Sequence, residues 1–312
     1  MVGHGEIEID SGDYPHVVVT TGIGNLARYA RFTGSAWEDA IVETVPPNGP
    51  VTLSFVLDTD DLPHVVYPFS GLRHAHFDGS TWSHTTVDAE AGAQPSVTID
   101  PLGNLSVSYS DAVADDLKLA SRIEGVWTVE TIDSAGYVGA GSSIALDGVG
   151  NRHVAYYDQA GDNLRYATRP GVAWELETVE TEGNVGQDTS IALDTDDTVM
   201  IAYYDQTNAR LRLAIRGEDG SWSHETIDDD GDVGRSASLR IDSQGLPHVA
   251  YHDDTNQRPR YATRIDGQWR VFVVDTEITA HERTALALDP EDRPHIVYRE
   301  SGSPYELQYA RW

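Results

Sequence analysis

The chain has 312 residues, of which 39% are hydrophobic and 23% charged, enough to bury a sizeable core as one large β domain or two ordinary ones. Against 51 acidic residues stand 21 basic ones, a formal net charge of −30, and a field of that sign repels nucleic-acid phosphates and anionic membrane surfaces. There is no cysteine, which excludes disulfides and thiolate chemistry, and no apolar run approaches the roughly 18 residues of a membrane span.

The opening MVGHGEIEID has neither a basic nor an apolar segment, so no secretory signal is expected there. From this point the chain repeats itself. A strand ending in Leu/Ile-Asp closes at Asp10 and returns at Asp58, Asp100, Asp147, Asp194, Asp242 and Asp289, at intervals of 48, 42, 47, 47, 48 and 47 residues. A tryptophan follows in register at Trp37, Trp82, Trp127, Trp174, Trp222 and Trp269. The best-preserved unit, SIALDGVGNRHVAYYDQAGDNLRYATRPGVAWELETVE from Ser143, reads as four short strands rich in Val, Ile, Tyr, Trp and Thr, bounded by Gly, Asp, Asn and Pro. No helical period is sustained anywhere. Units of this length and strand count are the mark of propeller blades. The expected fold is all-β, a seven-bladed β-propeller of four-stranded antiparallel blades in a single domain over 1–312. Its blades span approximately 1–49, 50–92, 93–139, 140–186, 187–234, 235–281 and 282–312. The last unit stops after its third strand at Trp312, so that blade is expected to have three strands, 27 in all, and residues 1–6 are too short to complete it.

Each repeated aspartate opens a D-x-x-G turn, with Asp in place of Gly in four units. An Asp side chain there accepts the amide two residues on, and the fourth residue takes a left-handed conformation. Acidic runs such as LDTDD at Asp194 and IDDDGD at Asp228 also invite a calcium reading, but neither fits an EF-hand loop. Turn capping is the expected role and no metal or other cofactor is assigned, with calcium the minor alternative. His16, His64, His153, His248 and His295 share one position at the start of the second strand. A catalytic group is needed once, so five copies point to packing between blades within a hydrogen-bonded ring; the same holds for Tyr156, Tyr203, Tyr251 and Tyr298. The acid excess, with Lys118 the only lysine, reads as a solubility or halophilic adaptation spread along the chain.

The turn before the fourth strand reads HFDGSTW at His76–Trp82, with GEDGSW and RIDGQW later. It resembles an abbreviated Asp-box of sialidase-type and lectin-type propellers. The whole pattern, SIALD…PHVAYYD…LRYAT…W, is similar to bacterial seven-bladed β-propeller repeat proteins. That resemblance implies architecture; among such propellers are lectins, polysaccharide lyases and glycosidases. The arginine triad and Tyr/Glu pair of sialidases cannot be placed on this sequence.

Function is then sought where blades differ. Residues just before the first strands vary and are polar: His4, Gln94, Gln187 with Asp188, Arg235, and His281 with Arg283. The ends of the second strands add His252 and Arg299. In the usual propeller topology these groups share the face around the channel mouth, where imidazole, guanidinium and carboxylate could bind a polyol or a sugar acid. The expected function is a lectin-like or adhesive carbohydrate-binding module with several near-equivalent sites, at an extracellular or cell-surface address. The first alternative is an enzyme, a lyase or hydrolase of a sugar acid or small metabolite, with His281 or His252 as base and Arg235 or Arg283 as anion clamp. Against it, no nucleophile–base pair, zinc motif or phosphate loop is present. The second alternative is a protein-interaction scaffold. Neither nucleic acid nor membrane insertion is expected.

Overall fold

The computed structural model describes residues 5–21, 26–44, 52–90, 92–301 and 306–312. The chain divides into two compact units, Met1–Ser142 and Ser143–Trp312, with the boundary inside one strand. Sheet 1 consists of β1 (Gly5–Ile9), β2 (Pro15–Thr21), β3 (Leu26–Phe32) and β4 (Trp37–Thr44). Sheet 2 has β5 (Ser54–Leu57), β6 (Pro63–Pro68), β7 (Leu72–Phe77) and β8 (Trp82–Asp88). Sheet 3 has β9 (Gly92–Ile99), β10 (Leu105–Asp111), β11 (Asp116–Ile123) and β12 (Val126–Asp133). Sheet 4 follows with β13 (Val138–Leu146), β14 (Arg152–Asp158), β15 (Asn163–Thr168) and β16 (Glu175–Glu180). Sheet 5 has β17 (Val185–Leu193), β18 (Val199–Asp205), β19 (Arg210–Arg216) and β20 (Trp222–Asp228). Sheet 6 has β21 (Val233–Ile241), β22 (Pro247–Asp253), β23 (Arg258–Ile265) and β24 (Gln268–Val273). Sheet 7 has three: β25 (Ala280–Leu288), β26 (Pro294–Glu300) and β27 (Leu307–Arg311). Every sheet is antiparallel with strands in chain order, and no helix occurs among the described residues. Seven sheets, the last with three strands, are what the repeat predicts.

Burial explains the composition of each strand. Second strands such as β18 and β22 are buried along their whole length, so they read as continuous apolar runs covered on both faces. Fourth strands such as β24 are largely exposed, and there Val271, Phe272 and Val273 face solvent. The core lies between neighbouring sheets of a unit: Tyr203, Val185 and Ile201 of sheet 5 pack against Tyr166, Ala155 and Leu164 of sheet 4. Each such side chain contributes about 1.5–3 kcal/mol when fully buried. A serine of one first strand also accepts the amide of the next. Ser54 receives Val97 N at 3.2 Å, Ser143 receives Ile191 N at 3.2 Å, Ser190 receives Leu239 N at 2.9 Å and Ser238 receives Leu286 N at 3.1 Å.

The aspartate turns form as expected. In all seven, the Asp Oδ1 accepts the amide two residues on, from Gly12, Asp60, Leu102, Val149, Asp196, Gln244 and Glu291. The fourth residue is left-handed in each, with φ between 59° and 87°. Where that residue is an aspartate it can also reach the preceding sheet. Asp61 accepts Ser11 N, Asp197 accepts Gly148 N and Asp292 accepts Ser243 N.

The repeated histidines depart from the expected inter-blade ring. Each bonds within its own sheet. The His Nε2 meets the turn aspartate, at 3.1 Å for His16–Asp10 and 3.0 Å for His295–Asp289. Its Nδ1 meets a third-strand tyrosine: Tyr29, Tyr166, Tyr261 and Tyr309 at 2.5–2.7 Å. Strand pairing dictates this, because the tyrosine lies diagonal to the histidine on the facing strand. The inter-sheet contact falls to the tyrosine instead: Tyr29 packs edge-on against Trp82 and Tyr166 against Trp222.

Candidate functional site

The variable polar residues are not in loops before the first strands. Gln94 lies in β9, Gln187 and Asp188 in β17, Arg235 in β21, and His281 and Arg283 in β25. The physical reason is a β-bulge that the residue pattern does not announce. Pairing slips between Ser108 and Ser110, between Val185 and Ser190, between Val233 and Ser238, and between His281 and Thr284. Gln94, Asp188 and Ser236 carry left-handed φ of 49°, 50° and 51°. An extra residue of this kind bends the strand and re-aims its side chains. The Val-Gly before Gln187 and Arg235 completes the device. A Cβ on Gly186 would stand 2.6 Å from Leu164 Cα, and one on Gly234 2.8 Å from Leu211 Cα, so only glycine lets the strand approach so closely.

Within the second unit this builds two similar polar junctions. Between sheets 4 and 5, the Gln187 amide donates to Asn184 Oδ1 at 3.0 Å and to Gln206 Oε1 at 2.5 Å. The Tyr157 hydroxyl donates to Asp162 Oδ1 at 2.7 Å and lies 2.9 Å from Asn184 Oδ1. Between sheets 5 and 6, Arg235 Nε lies 2.6 Å from Asp254, and its guanidinium covers the Tyr204 ring 4.5 Å from the centroid. The Tyr204 hydroxyl donates to Asp232 at 2.6 Å, and burial followed by this bond pushes its pKa well above the ordinary phenol value. His252 is buried with Nε2 3.3 Å from Asp254. Arg235 and His252 are thus brought together on one carboxylate, opposite each other in the ladder. At both junctions a threonine hydroxyl clamps the entering loop: Thr207 accepts Asn184 N and Thr255 accepts Asp232 N, each at 2.7 Å.

The other expected residues are placed apart from these two clusters. In the first unit Gln94 is exposed and its Oε1 accepts Gly141 N at 2.9 Å. His281 faces Arg299 across the β25–β26 ladder; its side chain, and all of His4, lie outside the described residues. Arg283 is half-buried on β25 and Asp188 is exposed. The acidic runs weighed for calcium have protein partners. Asp228 Oδ2 accepts Tyr251 at 2.6 Å and Arg260 at 2.7 Å, and Asp194 Oδ1 accepts Asp196 N and Thr198 N. The partners Asn184, Gln206, Asp232 and Asp254 were not expected from sequence. The V-G-Q and V-G-R tripeptides starting at Val185 and Val233 are the signal that marks them.

The two junctions hold donors and acceptors fixed by their neighbours, an amide at one and a guanidinium with carboxylates at the other, groups that can hydrogen-bond a polyhydroxylated ligand. The fold class is a seven-bladed β-propeller. No family model matches the chain. No curated protein matches it either. Among solved structures it is similar to the BP39L lectin from Burkholderia pseudomallei, at 13% identity over 99% of this chain and 95% of that one, with a TM-score of 0.78. It is similar to the fucose-specific lectin from Aleuria aurantia at 16% identity over 87% and 95%, TM-score 0.59. It is also similar to the intramolecular trans-sialidase from Ruminococcus gnavus at 10% identity over 100% and 94%, TM-score 0.56. At these identities the likeness is one of fold.

Proposed function

We propose that this protein is a lectin-like carbohydrate-binding propeller that takes sugars at the bulged starts of its first strands, chiefly at Arg235 and Gln187. The observation that carries the reading is repetition with variation. One junction geometry occurs at successive sheets, and the group it presents changes from amide to guanidinium. A structural device repeated for packing alone has no need to change that group. Two of the similar folds are named as lectins, one of them fucose-specific, which supports the same substrate class. Each site is expected to be weak by itself and to act through multivalency.

A glycan array on the intact chain, followed by calorimetry with the best monosaccharide, tests this. Arg235→Ala and Gln187→Ala are expected to lower affinity about 10-fold each, roughly 1.4 kcal/mol, with the melting temperature nearly unchanged. Undiminished binding in both variants contradicts the assignment. Turnover of a sugar acid would replace it with the enzymatic reading, and absence of both binding and turnover with the scaffold reading.

A further inference from the structure

Sheet 2 breaks the histidine pattern of its neighbours in two places. The third-strand tyrosine is replaced by His74, whose Nε2 lies 2.9 Å from His64 Nδ1. Directly opposite the repeated histidine, where sheets 1 and 7 have Arg31 and Arg311 and sheets 4 and 6 have Thr168 and Thr263, sheet 2 has His76. In sheet 7 the equivalent Arg311 Nη2 meets the turn carboxylate of Asp289 at 3.0 Å and supplies it with a fixed positive charge. His76 puts an imidazole, a metal-ligating group, in that place.

The outcome is a convergence of three ligand atoms. His76 stacks on His64 with centroids 4.2 Å apart and an interplanar angle of 15°. His64 Nε2 is 3.5 Å and His76 Nε2 3.8 Å from Asp58 Oδ2, and one ligand atom from each residue lies within 4.8 Å of the others. Asp58 Oδ1 is taken by the amides of Asp60 and Leu62 at 2.9 Å, which leaves Oδ2 aimed at the imidazoles. His76 Nε2 is buried and has no hydrogen-bond partner. A buried polar atom without a partner costs about 1–3 kcal/mol.

We propose that Asp58, His64 and His76 bind a divalent transition-metal ion, with His74 as the outer partner that orients His64. Two imidazoles and one carboxylate suit zinc, cobalt or nickel, whereas calcium and magnesium need sets made mainly of oxygens. Ligands at about 2.1 Å from a tetrahedral ion stand about 3.4 Å apart, close to the two carboxylate separations; the stacked rings must also turn out of parallel for both Nε2 lone pairs to meet one ion. His74 can accept the His64 Nδ1 proton and so leave the Nε2 lone pair for the metal, as outer-sphere partners commonly do.

The test is a cobalt(II) titration of the intact chain after EDTA treatment and desalting, read by visible absorption. One equivalent is expected to develop the d–d bands of a low-coordinate, nitrogen-ligated ion. His76→Thr, the residue natural to sheets 4 and 6, is expected to abolish them at unchanged melting temperature. Asp58→Asn keeps the two amide bonds to Oδ1 and is expected to weaken binding at least about 10-fold; it serves if the first variant does not fold. Absence of protein-dependent bands at one equivalent overturns the site. So do bands that persist in His76→Thr, or an undiminished affinity in Asp58→Asn.

Discussion

Residue-scale chemistry in this chain is dominated by buried Asp–His–Tyr units. In His16, His153 and His295 burial outweighs the neighbouring carboxylate and lowers the imidazole pKa below 6.5. The folded chain therefore holds them neutral while the unfolded chain protonates first as pH falls. Stability is full above about pH 6.5 and declines below it, by about 1.4 kcal/mol per pH unit for each such proton. Burial would raise the Asp289 pKa, but donors from His295, Arg293 and Arg311 hold it well below the usual carboxylate range. Its share of stability is lost only under stronger acid. Urea midpoints in molar salt, where the net charge is screened, are expected to hold from pH 7.5 to about 6.5 and to fall from there to pH 5. A flat or rising midpoint contradicts this picture. The aspartates were legible in the sequence because D-x-x-G is a local code. The histidine partners were not, because the tyrosine 13 or 14 residues away is fixed by strand register.

At the scale of elements, the strands and their order followed from the repeat, and the bulges did not. A bulge is one residue too many on one strand, and nothing in the letters of VGQDTSIAL or VGRSASLRI tells a loop residue from a bulged one. This is why Gln187 and Arg235 were read as lying before strands that in fact contain them. The serines linking successive first strands were likewise hidden among ordinary strand polar positions. Ser190 illustrates their weight: it is buried and its hydroxyl accepts Leu239 N at 2.9 Å. Ser190→Ala leaves that amide without its acceptor and is expected to cost about 1–3 kcal/mol. Hydrogen exchange at Leu239 should quicken with it. A variant as stable as the parent, with Leu239 equally protected, contradicts the assigned role.

For the whole molecule, positions shared by the sheets maintain the architecture, and positions that differ are where the proposed function and the proposed metal site lie. The shared set is the turn aspartates and the His–Tyr pairs; the differing set includes Gln187 against Arg235 and His76 against Thr168 or Arg311. Repetition made the first set readable without coordinates. The second needed strand pairing, since a departure has meaning only beside its equivalents. Under the proposed function, a module built in this way has more than one sugar site per chain. The direct measurement is the number of monosaccharides bound per chain, by calorimetry or native mass spectrometry at saturating ligand. The account predicts two or more, with one fewer in Arg235→Ala; a single bound sugar that survives this substitution contradicts it.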